Sequence, residues 1–308
     1  MARHIAVLAN PFAGKGRGRA AAETALQRLR ERGAEVRVYA GDTPADTKAL
    51  AREAIAARPV AIVVVGGDGT LSGILSDLVA AELPVALVPA GTGNDLARAL
   101  DLPRHDPAAA ADLALDGTAR RIDVGEIRTP TGVAGFLTIA ALGFDAKVSE
   151  RTNRLRWPHG ALRYYLALLI ELVRLRPLPF AVAVDGGEVR VRPGTLIAVG
   201  NTPSYGGGMP VCAGADATDG MLDLVEVAPI GRLRLLRLFP LLLRGTHLAR
   251  REVAHRRART VTVSAPGLVV YADGERLGED ACTISVHPSA LTILTPPGAL
   301  TSGDGDRG

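Results

Sequence analysis

Three glycine-rich turns near the start of the chain carry residue types that bind a polyanion. They occupy residues 10–18, 66–73 and 89–98, and each directly follows an apolar run. Glycine lets the main chain approach a ligand that a Cβ would obstruct, and main-chain amides in such a turn bind phosphate oxygens. In the second turn, Asp68 adds a carboxylate that suits a phosphate-bound Mg²⁺, and Thr70 adds a hydroxyl. The pattern predicts a nucleotide site.

The first and third turns are each expected to lead into a helix. A helix predicted from about residue 20 to residue 32 would direct its partially positive N-terminus toward a bound phosphate. Lys15 and Arg17 add positive charge beside it. In the third turn, Asn94 or Asp95 is predicted to cap the following helix. These turns therefore supply several groups that stabilise negative charge.

Two common nucleotide-binding patterns do not fit these turns. Lys15 is not followed by Ser or Thr, as the Walker pattern requires, and residues 14–18 lack the later glycine of Gly-x-Gly-x-x-Gly. A glycine turn after a strand is also an ordinary strand-to-helix connection, which is the alternative at any single turn. Three such turns within about ninety residues favour the nucleotide site.

The surrounding sequence has two regions of different patterning. Up to about residue 123, apolar strands alternate with alanine-rich helices, which predicts a parallel sheet with helices on both faces. Beyond it, short strands separated by turns predict an antiparallel β-sandwich. The predicted fold class is α/β, with an N-terminal parallel-sheet nucleotide-binding domain and a C-terminal antiparallel β-sandwich domain. The expected domains are residues 1–124, completed by 291–300, and residues 125–290; a disordered tail over 301–308 follows, and the cleft between the domains is the expected substrate site.

The elements behind this division can be given by residue number. In the first region the predicted strands are 4–9, 36–39, 62–65 and 85–88, and the predicted helices are 45–57, 71–81 and 107–115. In the second region the predicted strands are 121–127, 136–141, 180–184, 189–191, 194–199, 222–227, 260–264, 268–272 and 282–287. A last strand is predicted over 291–294.

Composition narrows the class of protein. The 308 residues, 47% of them hydrophobic, suffice for two cores. Cys212 and Cys282 lie far apart and outside any metal-type spacing, which predicts buried reduced thiols and a cytoplasmic protein. The chain leads directly into a strand, so we expect no signal peptide. No unbroken apolar run reaches about 18 residues, so we expect no membrane span.

Three stretches of the second region also carry chemical groups. Residues 201–209 join an asparagine to a glycine-rich run. Such a run is either a functional loop or a mobile surface loop. Residues 215–223 place two aspartates three apart in a tight turn, an oxygen cage that Mg²⁺ prefers; a polar hairpin turn is the alternative. Residues 271–275 end a strand in a carboxylate-bearing turn, and a carboxylate near the transferred group can accept the proton of an alcohol during phosphoryl transfer. An exposed hairpin turn is the alternative there.

The order and spacing of the three glycine turns resemble the diacylglycerol kinase catalytic domain. That group includes bacterial soluble lipid kinases, sphingosine kinases and ceramide kinases. The residues that carry the resemblance are Asn10-Pro11 with Gly14-Lys15, then Gly66-Gly67-Asp68-Gly69-Thr70-Leu71, then Gly91-Thr92-Gly93-Asn94-Asp95-Leu96-Ala97-Arg98. The resemblance covers about residues 4–296. It implies an ATP-dependent kinase of a lipid hydroxyl, acting in phospholipid metabolism. Since related bacterial enzymes are often dimers, it also allows a homodimer.

The resemblance assigns site residues by position. Glu275 is implied as the proton acceptor, and Asp68 is the competing candidate, favoured in sphingosine-type relatives. A structural Mg²⁺ is implied at Asp216, Asp219 and the carbonyl of Met221, linked by water toward the active site. The residues implied in binding ATP are Asn10, Pro11, Phe12, Ala13, Gly14, Lys15, Thr43, Gly66, Gly67, Asp68, Gly69, Thr70, Leu71, Ser72, Gly73, Thr92, Asn94 and Asp95.

Charge patterning suggests how such an enzyme would reach a lipid. The net charge of +4 favours attraction to anionic membranes. Residues 232–259 hold nine arginines and one acid among many leucines. Residues 162–180 also combine arginines with many leucines. Both predict amphipathic interfacial helices, with Pro240 breaking or kinking the first; core helices with a solvated arginine face are the alternative. Few aromatic residues accompany the arginines and no recognition motif is present, so nucleic-acid binding is not expected.

The sequence therefore predicts an ATP- and Mg²⁺-dependent kinase of diacylglycerol or a related lipid alcohol, cytoplasmic and in peripheral contact with a membrane surface. One alternative is a kinase of a soluble substrate related to NAD kinase or phosphofructokinase, which share the Gly-Gly-Asp-Gly turn. A nucleotide-binding regulator that has lost catalysis is the other.

Overall fold

The computed structural model describes residues 4–41, 43–155, 157 and 161–298. The described chain divides into two compact units. Unit 1 comprises residues 4–122 and 289–298, and unit 2 comprises residues 123–288. The predicted tail at 301–308 lies outside the described residues.

Unit 1 alternates strands and helices along the chain. Its elements are β1 (His4–Ala9), α1 (Ala13–Glu31), β2 (Glu35–Ala40), α2 (Pro44–Ala56), β3 (Ala61–Gly66), α3 (Asp68–Ser72), α4 (Leu75–Ala81), β4 (Val85–Pro89), α5 (Asp95–Ala99) and α6 (Pro107–Asp116). The next strand, β5 (Thr118–Thr129), begins in unit 1 and continues into unit 2.

The strands of unit 1 form a parallel sheet. β1 pairs in parallel with β2 and with β3, and β3 pairs in parallel with β4. Every residue of β1, β3 and β4 is buried, as expected for strands covered on both faces, whereas β2 is largely exposed at the edge. Ile293, near the end of the chain, pairs in parallel with Val85 of β4. The carboxyl ends of β1, β3 and β4 therefore lie side by side.

Two predicted helices of unit 1 differ in the structure. Helix α1 begins at Ala13 and not near residue 20, although Gly14 and Gly16 have φ angles of +57° and +93°. The low helix propensity of glycine suggested a loop. In the structure a Cβ on Gly18 would lie 2.1 Å from the carbonyl oxygen of Asn10, so this start of the helix requires glycine there. The single helix predicted over 71–81 is two helices, α3 and α4, which are separated at Gly73 and Ile74.

Unit 2 is built mainly of strands. Its elements after β5 are β6 (Gly132–Phe136), β7 (Ile139–Gly143), α7 (Phe144–Arg154), α8 (Ala161–Val173), β8 (Leu178–Val184), β9 (Arg190–Gly194), β10 (Leu196–Gly200), β11 (Leu222–Val227), α9 (Arg232–Leu243), a 3-10 helix (His247–Ala249), β12 (Val253–Ala258), β13 (Thr260–Ala272) and β14 (Glu275–Thr295).

Antiparallel pairing dominates unit 2. The strand order β12-β11-β10-β7-β13 is antiparallel throughout, and β13 also pairs with β14 and β8, which in turn pairs with β9. The α/β fold class, with an N-terminal parallel sheet and C-terminal antiparallel strands, is thus confirmed. Phe136 is fully buried in this core and covers Gly125, where a Cβ would lie 2.1 Å from the phenyl ring.

Several predicted strands of unit 2 have different limits. The strand predicted over 136–141 is divided between β6 and β7 at Leu137 and Thr138. The strands predicted over 260–264 and 268–272 form one strand, β13, with an irregularity between Ser264 and Val269. Strands 282–287 and 291–294 are both parts of β14. Helix α7 has no counterpart among the predicted elements. Strand β12 lies within residues 232–259, for which an interfacial helix was predicted, so the prediction is wrong for that part of the segment.

The two leucine- and arginine-rich segments each contain a helix, α8 and α9. Helix α9 continues beyond Pro240 to Leu243, so Pro240 does not break the helix, and the predicted kink stays a prediction. Proline at this position removes one N–H that would bond the carbonyl of Leu236, a residue that is exposed to water. None of the helices in the described ranges is long and apolar enough to cross a membrane.

Candidate functional site

The second and third glycine turns touch through their main chains. A Cβ on Gly67 would lie 2.7 Å from the Cα of Gly91, and a Cβ on Gly91 would lie 2.5 Å from the Cα of Gly67. Carbon atoms do not approach this closely without displacement. Only glycine at both positions permits the observed contact between the ends of β3 and β4.

The first turn is held against the other two. The side-chain amide of Asn10 donates to Thr70 Oγ1 at 3.2 Å. The guanidinium of Arg17 donates to the carbonyl of Gly91 at 2.7 Å. A Cβ on Gly14 would lie 2.0 Å from the carbonyl oxygen of Ala90. The structure thus brings together the three turns that the sequence singled out, at the carboxyl ends of β1, β3 and β4.

Asp68 links the second turn to helix α5. Its carboxylate oxygens accept hydrogen bonds from the main-chain N–H groups of Asp95, at 3.0 Å, and Leu96, at 3.2 Å. Asn94 is the N-cap residue, as predicted, but its side chain makes no cap hydrogen bond; the acceptor comes from Asp68, which is 27 residues away from Asp95 in sequence. A carboxylate at a helix N-terminus is favourable for the first-turn N–H groups and for the dipole.

Asn94 presents an unpaired acceptor at the same place. It has a left-handed backbone with φ of +52°, and its Nδ2 donates to the carbonyl of Gly91 at 3.2 Å. Its Oδ1 is buried and has no hydrogen-bond partner among the described residues. A buried unpaired acceptor is costly in a folded protein, and a ligand or water that donates to it would remove the cost.

The other predicted nucleotide contacts have the following positions. Ala13, Gly14 and Lys15 lie in the first turn of α1; Pro11 and Phe12 precede it, and Phe12 is exposed. Asp68, Gly69, Thr70, Leu71 and Ser72 form α3, of which Leu71 is fully buried in the core, and Gly73 ends it. Thr92 is exposed and Asp95 is buried. As nucleotide ligands these residues stay predictions.

Thr43 has a structural role that the sequence analysis did not assign. Its Oγ1 accepts from the N–H of Asp46 at 3.1 Å, and its own N–H donates to the Asp46 carboxylate at 2.8 Å, which is a capping box for α2. Its neighbour in the predicted turn, Asp42, lies outside the described residues. The predicted nucleotide contact of Thr43 would have to share the oxygen that caps α2.

The proposed metal ligands of unit 2 are already engaged within their own turn. Asp216 Oδ1 accepts from the N–H of Thr218 at 3.0 Å, and Asp219 Oδ1 accepts from the N–H of Met221 at 2.9 Å. The other oxygen of Asp219 forms an ion pair with Arg257. Burial raises the pKa of Asp219, while the Met221 N–H and the Arg257 charge act in the opposite direction.

This arrangement is an oxygen-rich turn, but a guanidinium already neutralises Asp219. No group of three or more His, Cys, Asp or Glu side chains that could hold a metal occurs among the residues that the structure describes. The residues therefore fit a Mg²⁺ only if Arg257 moves away from Asp219. The structural Mg²⁺ stays a prediction, and no step of the mechanism depends on it.

Asp123 supports the same turn and was not predicted. It is 1% exposed, its N–H donates to the carbonyl of Ala217, and its Oδ2 accepts from the N–H of Gly220 at 2.7 Å. Its carbonyl accepts from Nδ2 of Asn201 at 2.9 Å. A single acid between Ile122 and Val124 in a strand was the signal that could have identified it.

Glu275 follows a well-anchored hairpin turn. Asp273 and Gly274 have φ angles of +48° and +86°, as a type I′ turn requires. The Asp273 carboxylate accepts from the N–H groups of Leu137, at 2.8 Å, and Thr138, at 2.9 Å, and from the Thr138 hydroxyl. These bonds occupy the gap between β6 and β7, and they hold rigid the turn that carries the exposed Glu275 carboxylate. Its role as proton acceptor stays a prediction.

Comparison with known proteins covers both units. Residues 4–127 match the family described as "Diacylglycerol kinase catalytic domain", and residues 138–295 match the "YegS C-terminal NAD kinase beta sandwich-like domain". A Mycobacterium tuberculosis protein named diacylglycerol kinase is 45% identical over 293 residues, which is 95% of each chain.

Two solved structures share the fold. A diacylglycerol kinase from Bacillus anthracis superposes with a TM-score of 0.72 at 21% identity, covering 97% of this chain and 98% of its own. An NAD kinase from Archaeoglobus fulgidus, solved in complex with ATP, superposes with a TM-score of 0.53 at 17% identity, covering 96% and 94%. At these identities the likeness concerns the fold alone.

The contact between the glycine turns gives a testable prediction. In Gly91→Ala, the added methyl group must push the third turn away from Gly67, so ATP should bind at least about tenfold more weakly. Overpacking should also lower the melting temperature in the absence of ATP. Isothermal titration calorimetry and thermal denaturation measure the two effects.

Gly231→Ala is the matched control, because a Cβ at this position, outside the three turns, would have no heavy atom within 4 Å. It should keep ATP affinity within about twofold. Wild-type ATP affinity in Gly91→Ala would show that the close approach of the two turns is not needed for binding.

Proposed function

Because this chain belongs to the diacylglycerol kinase family, we propose that it transfers the γ-phosphate of ATP to the hydroxyl of diacylglycerol or a related lipid alcohol. The observation that carries the proposal is the contact of the Gly67 and Gly91 turns, with the unpaired Asn94 Oδ1 beside them. ATP would bring its own Mg²⁺, as nucleotide substrates do.

The nucleotide is proposed to bind through main-chain groups. Phosphates approach closely only where no side chain intervenes, which the glycines of the three turns allow. The first turn of α1 adds the partial positive charge of a helix N-terminus, and Arg17 adds a full charge next to Gly91. This arrangement would stabilise the charge that develops on the transferred phosphoryl group.

Glu275 is preferred to Asp68 as the acceptor of the alcohol proton. Both oxygens of Asp68 accept main-chain N–H groups of α5, and protonation would weaken these bonds. Glu275 is exposed, and it follows a hairpin turn that Asp273 fixes in place. In a loose phosphoryl-transfer transition state the alcohol proton leaves late, so the carboxylate need only be placed to accept it.

Helices α8 and α9 support a lipid substrate and a peripheral membrane contact. The side chains of Leu162, Leu169 and Val173 on α8, and of Leu233, Leu236 and Leu243 on α9, are exposed. Arg232 at the start of α9 donates to the carbonyls of Leu172, at 3.2 Å, and Val173, at 2.7 Å. The two helices are therefore neighbours, and their exposed leucines can enter one lipid surface while the arginines meet anionic headgroups.

The two alternatives are weaker on these observations. A kinase of a soluble substrate, such as NAD, gains nothing from exposed leucines on adjacent helices. A regulator without catalysis would not need a carboxylate on a rigid hairpin, but it would keep the nucleotide turns. A second copy of the chain is the competing partner for the leucine surface, which would make the protein a homodimer through α8 and α9.

The kinase proposal predicts a specific loss in Glu275→Gln. Transfer of radiolabel from γ-labelled ATP to a panel of lipid alcohols, presented in mixed micelles, measures the reaction. The variant should lose about 10²- to 10⁴-fold in kcat because the proton acceptor is removed, while the KM for ATP stays near that of the wild type. Glu279→Gln, which removes another exposed carboxylate of β14, is the control and should be nearly as active as wild type.

A folded wild-type protein that binds ATP but labels none of these lipids would overturn the kinase proposal. Wild-type kcat in Glu275→Gln would remove only the assignment of the proton acceptor and would return Asp68 to consideration.

The membrane contact predicts that a double variant, Leu233→Ser with Leu236→Ser, binds vesicles less well. Co-sedimentation with phosphatidylglycerol vesicles should fall by about tenfold or more, because two buried leucine contacts with the lipid are lost. Val189→Ser, which changes an exposed valine outside both helices, is the control. Unchanged co-sedimentation of the double variant would contradict the membrane contact. If the wild type is a dimer and the double variant is a monomer, the leucine surface instead binds a second copy of the chain.

A further inference from the structure

Helix α7 contacts the hairpin turn that precedes Glu275. The side-chain amide of Asn153, in the last turn of this helix, donates to the carbonyl of Gly274 at 3.3 Å. The Asp273 carboxylate already holds the same turn from the gap between β6 and β7. The turn therefore has two anchors, one among the strands and one on a helix.

The bond from Asn153 fixes the peptide group that leads into Glu275. The Gly274 carbonyl and the Glu275 N–H belong to one planar peptide group, so a bond to the carbonyl orients the whole plane. Gly274 itself restrains this plane weakly, because it has no side chain and lies at a φ angle of +86°. The direction of the Cα–Cβ bond of Glu275 follows from that plane. Asn153 therefore acts on the placement of the carboxylate.

Asn153 also joins the strand that precedes the turn. Its Nδ2 group carries two N–H donors, of which the bond to Gly274 uses one. Tyr271 is 5% exposed; burial and the nearby Glu150 carboxylate raise the pKa of its phenol, while a hydrogen bond with the Asn153 side chain acts in the opposite direction. One amide therefore holds both Tyr271 and Gly274.

A second contact joins α7 to the residue after Glu275. Glu150 Oε1 lies 3.5 Å from Nε of Arg276. Arg276 also bonds Glu279 of its own strand, at 2.6 Å, so its guanidinium is shared between two acids. Glu150 and Asn153 are three residues apart and lie on the same face of the helix. The residues on both sides of Glu275 therefore contact one face of α7.

Helix α7 is itself firmly packed. Its side chains at Phe144, Asp145 and Val148 are buried, and the two apolar ones pack against α8. Arg151 forms an ion pair with Glu171 of α8, which is 6% exposed. A side chain on such a helix holds its position better than one on a free loop. The contacts from α7 can therefore restrain the hairpin.

We propose that Asn153 is a positioning residue of the phosphoryl transfer, which orients the Glu275 carboxylate toward the alcohol proton by holding the Gly274 carbonyl. This inference deepens the proposed function and rests on it, because it concerns the proton acceptor assigned there. Asn153 touches neither ATP nor the lipid in this role, so its loss should lower kcat and leave substrate binding unchanged.

A kinetic comparison of Asn153→Ala with the wild type is the first test. Transfer of radiolabel from γ-labelled ATP to the lipid alcohol that the wild type labels most should fall by about tenfold or more in kcat, because the carboxylate no longer keeps one position. The KM for ATP should stay within about twofold of the wild-type value. Alanine favours a helix more than asparagine does, so the melting temperature should not fall. Ser149→Ala makes the same kind of change one turn earlier in α7 and should keep wild-type kcat.

A double variant separates positioning from a merely structural role. Because Asn153 is proposed to act through Glu275, Asn153→Ala should change kcat by less than about twofold in the Glu275→Gln background. A tenfold loss that repeats in that background would overturn the inference, since Asn153 would then act elsewhere. Wild-type kcat in Asn153→Ala would also overturn it.

Hydrogen exchange of the main-chain amides, measured without ATP or lipid, tests the contact without any reaction. In Asn153→Ala the amides of residues 271–276 should exchange about fivefold faster, the worth of one hydrogen bond, while those of β1 exchange as in the wild type. Unchanged exchange in residues 271–276 would overturn the inference. A folded wild type that binds ATP but labels no lipid would overturn the kinase proposal, and the exchange rates would still decide whether Asn153 holds the hairpin.

Discussion

The main chains at Gly67 and Gly91 approach so closely that no side chain fits between them. This contact holds the carboxyl ends of β3 and β4 together, and Asn10 and Arg17 add the end of β1 through one hydrogen bond each. Three separate parts of the sequence thus present main-chain groups at one place. A triphosphate needs such a surface, because its oxygens must be met by N–H groups and not by side-chain carbons. The proposed binding of ATP depends on this constraint.

In unit 2, hydrogen bonds from polar side chains to the main chain hold the turns in place instead. The gap between β6 and β7 at Leu137 and Thr138 is occupied by the Asp273 carboxylate, and Asn201 donates to the carbonyl of Leu137 at 3.0 Å. These contacts position the hairpin of Glu275 and the start of the glycine-rich loop. Since both anchors join residues that are distant in sequence, the rigidity of this region is a tertiary effect. A proton acceptor carried by such a hairpin can be placed accurately although its own side chain is exposed.

The sequence could predict the parallel sheet and the turns, because continuous apolar strands followed by glycines are local signals. It could not predict that α1 begins at Ala13, since the low helix propensity of glycine opposes a helix there and the close approach of Gly18 to the Asn10 carbonyl is a tertiary feature. Nor could it find that Asp68 caps α5, because the partner lies 27 residues away and local rules favour Asn94. Nor could it predict that Asp145 and His247 are buried, because their burial comes from helices and strands far apart in the chain.

Hydrogen exchange of the main-chain amides, followed by mass spectrometry with and without ATP and Mg²⁺, tests most directly whether the three turns form one nucleotide site. The account predicts that ATP slows exchange together in residues 10–18, 66–73 and 89–98, while α2 and α6 exchange as before. Protection of one turn alone, or no change in any of them at an ATP concentration that saturates binding, would contradict it.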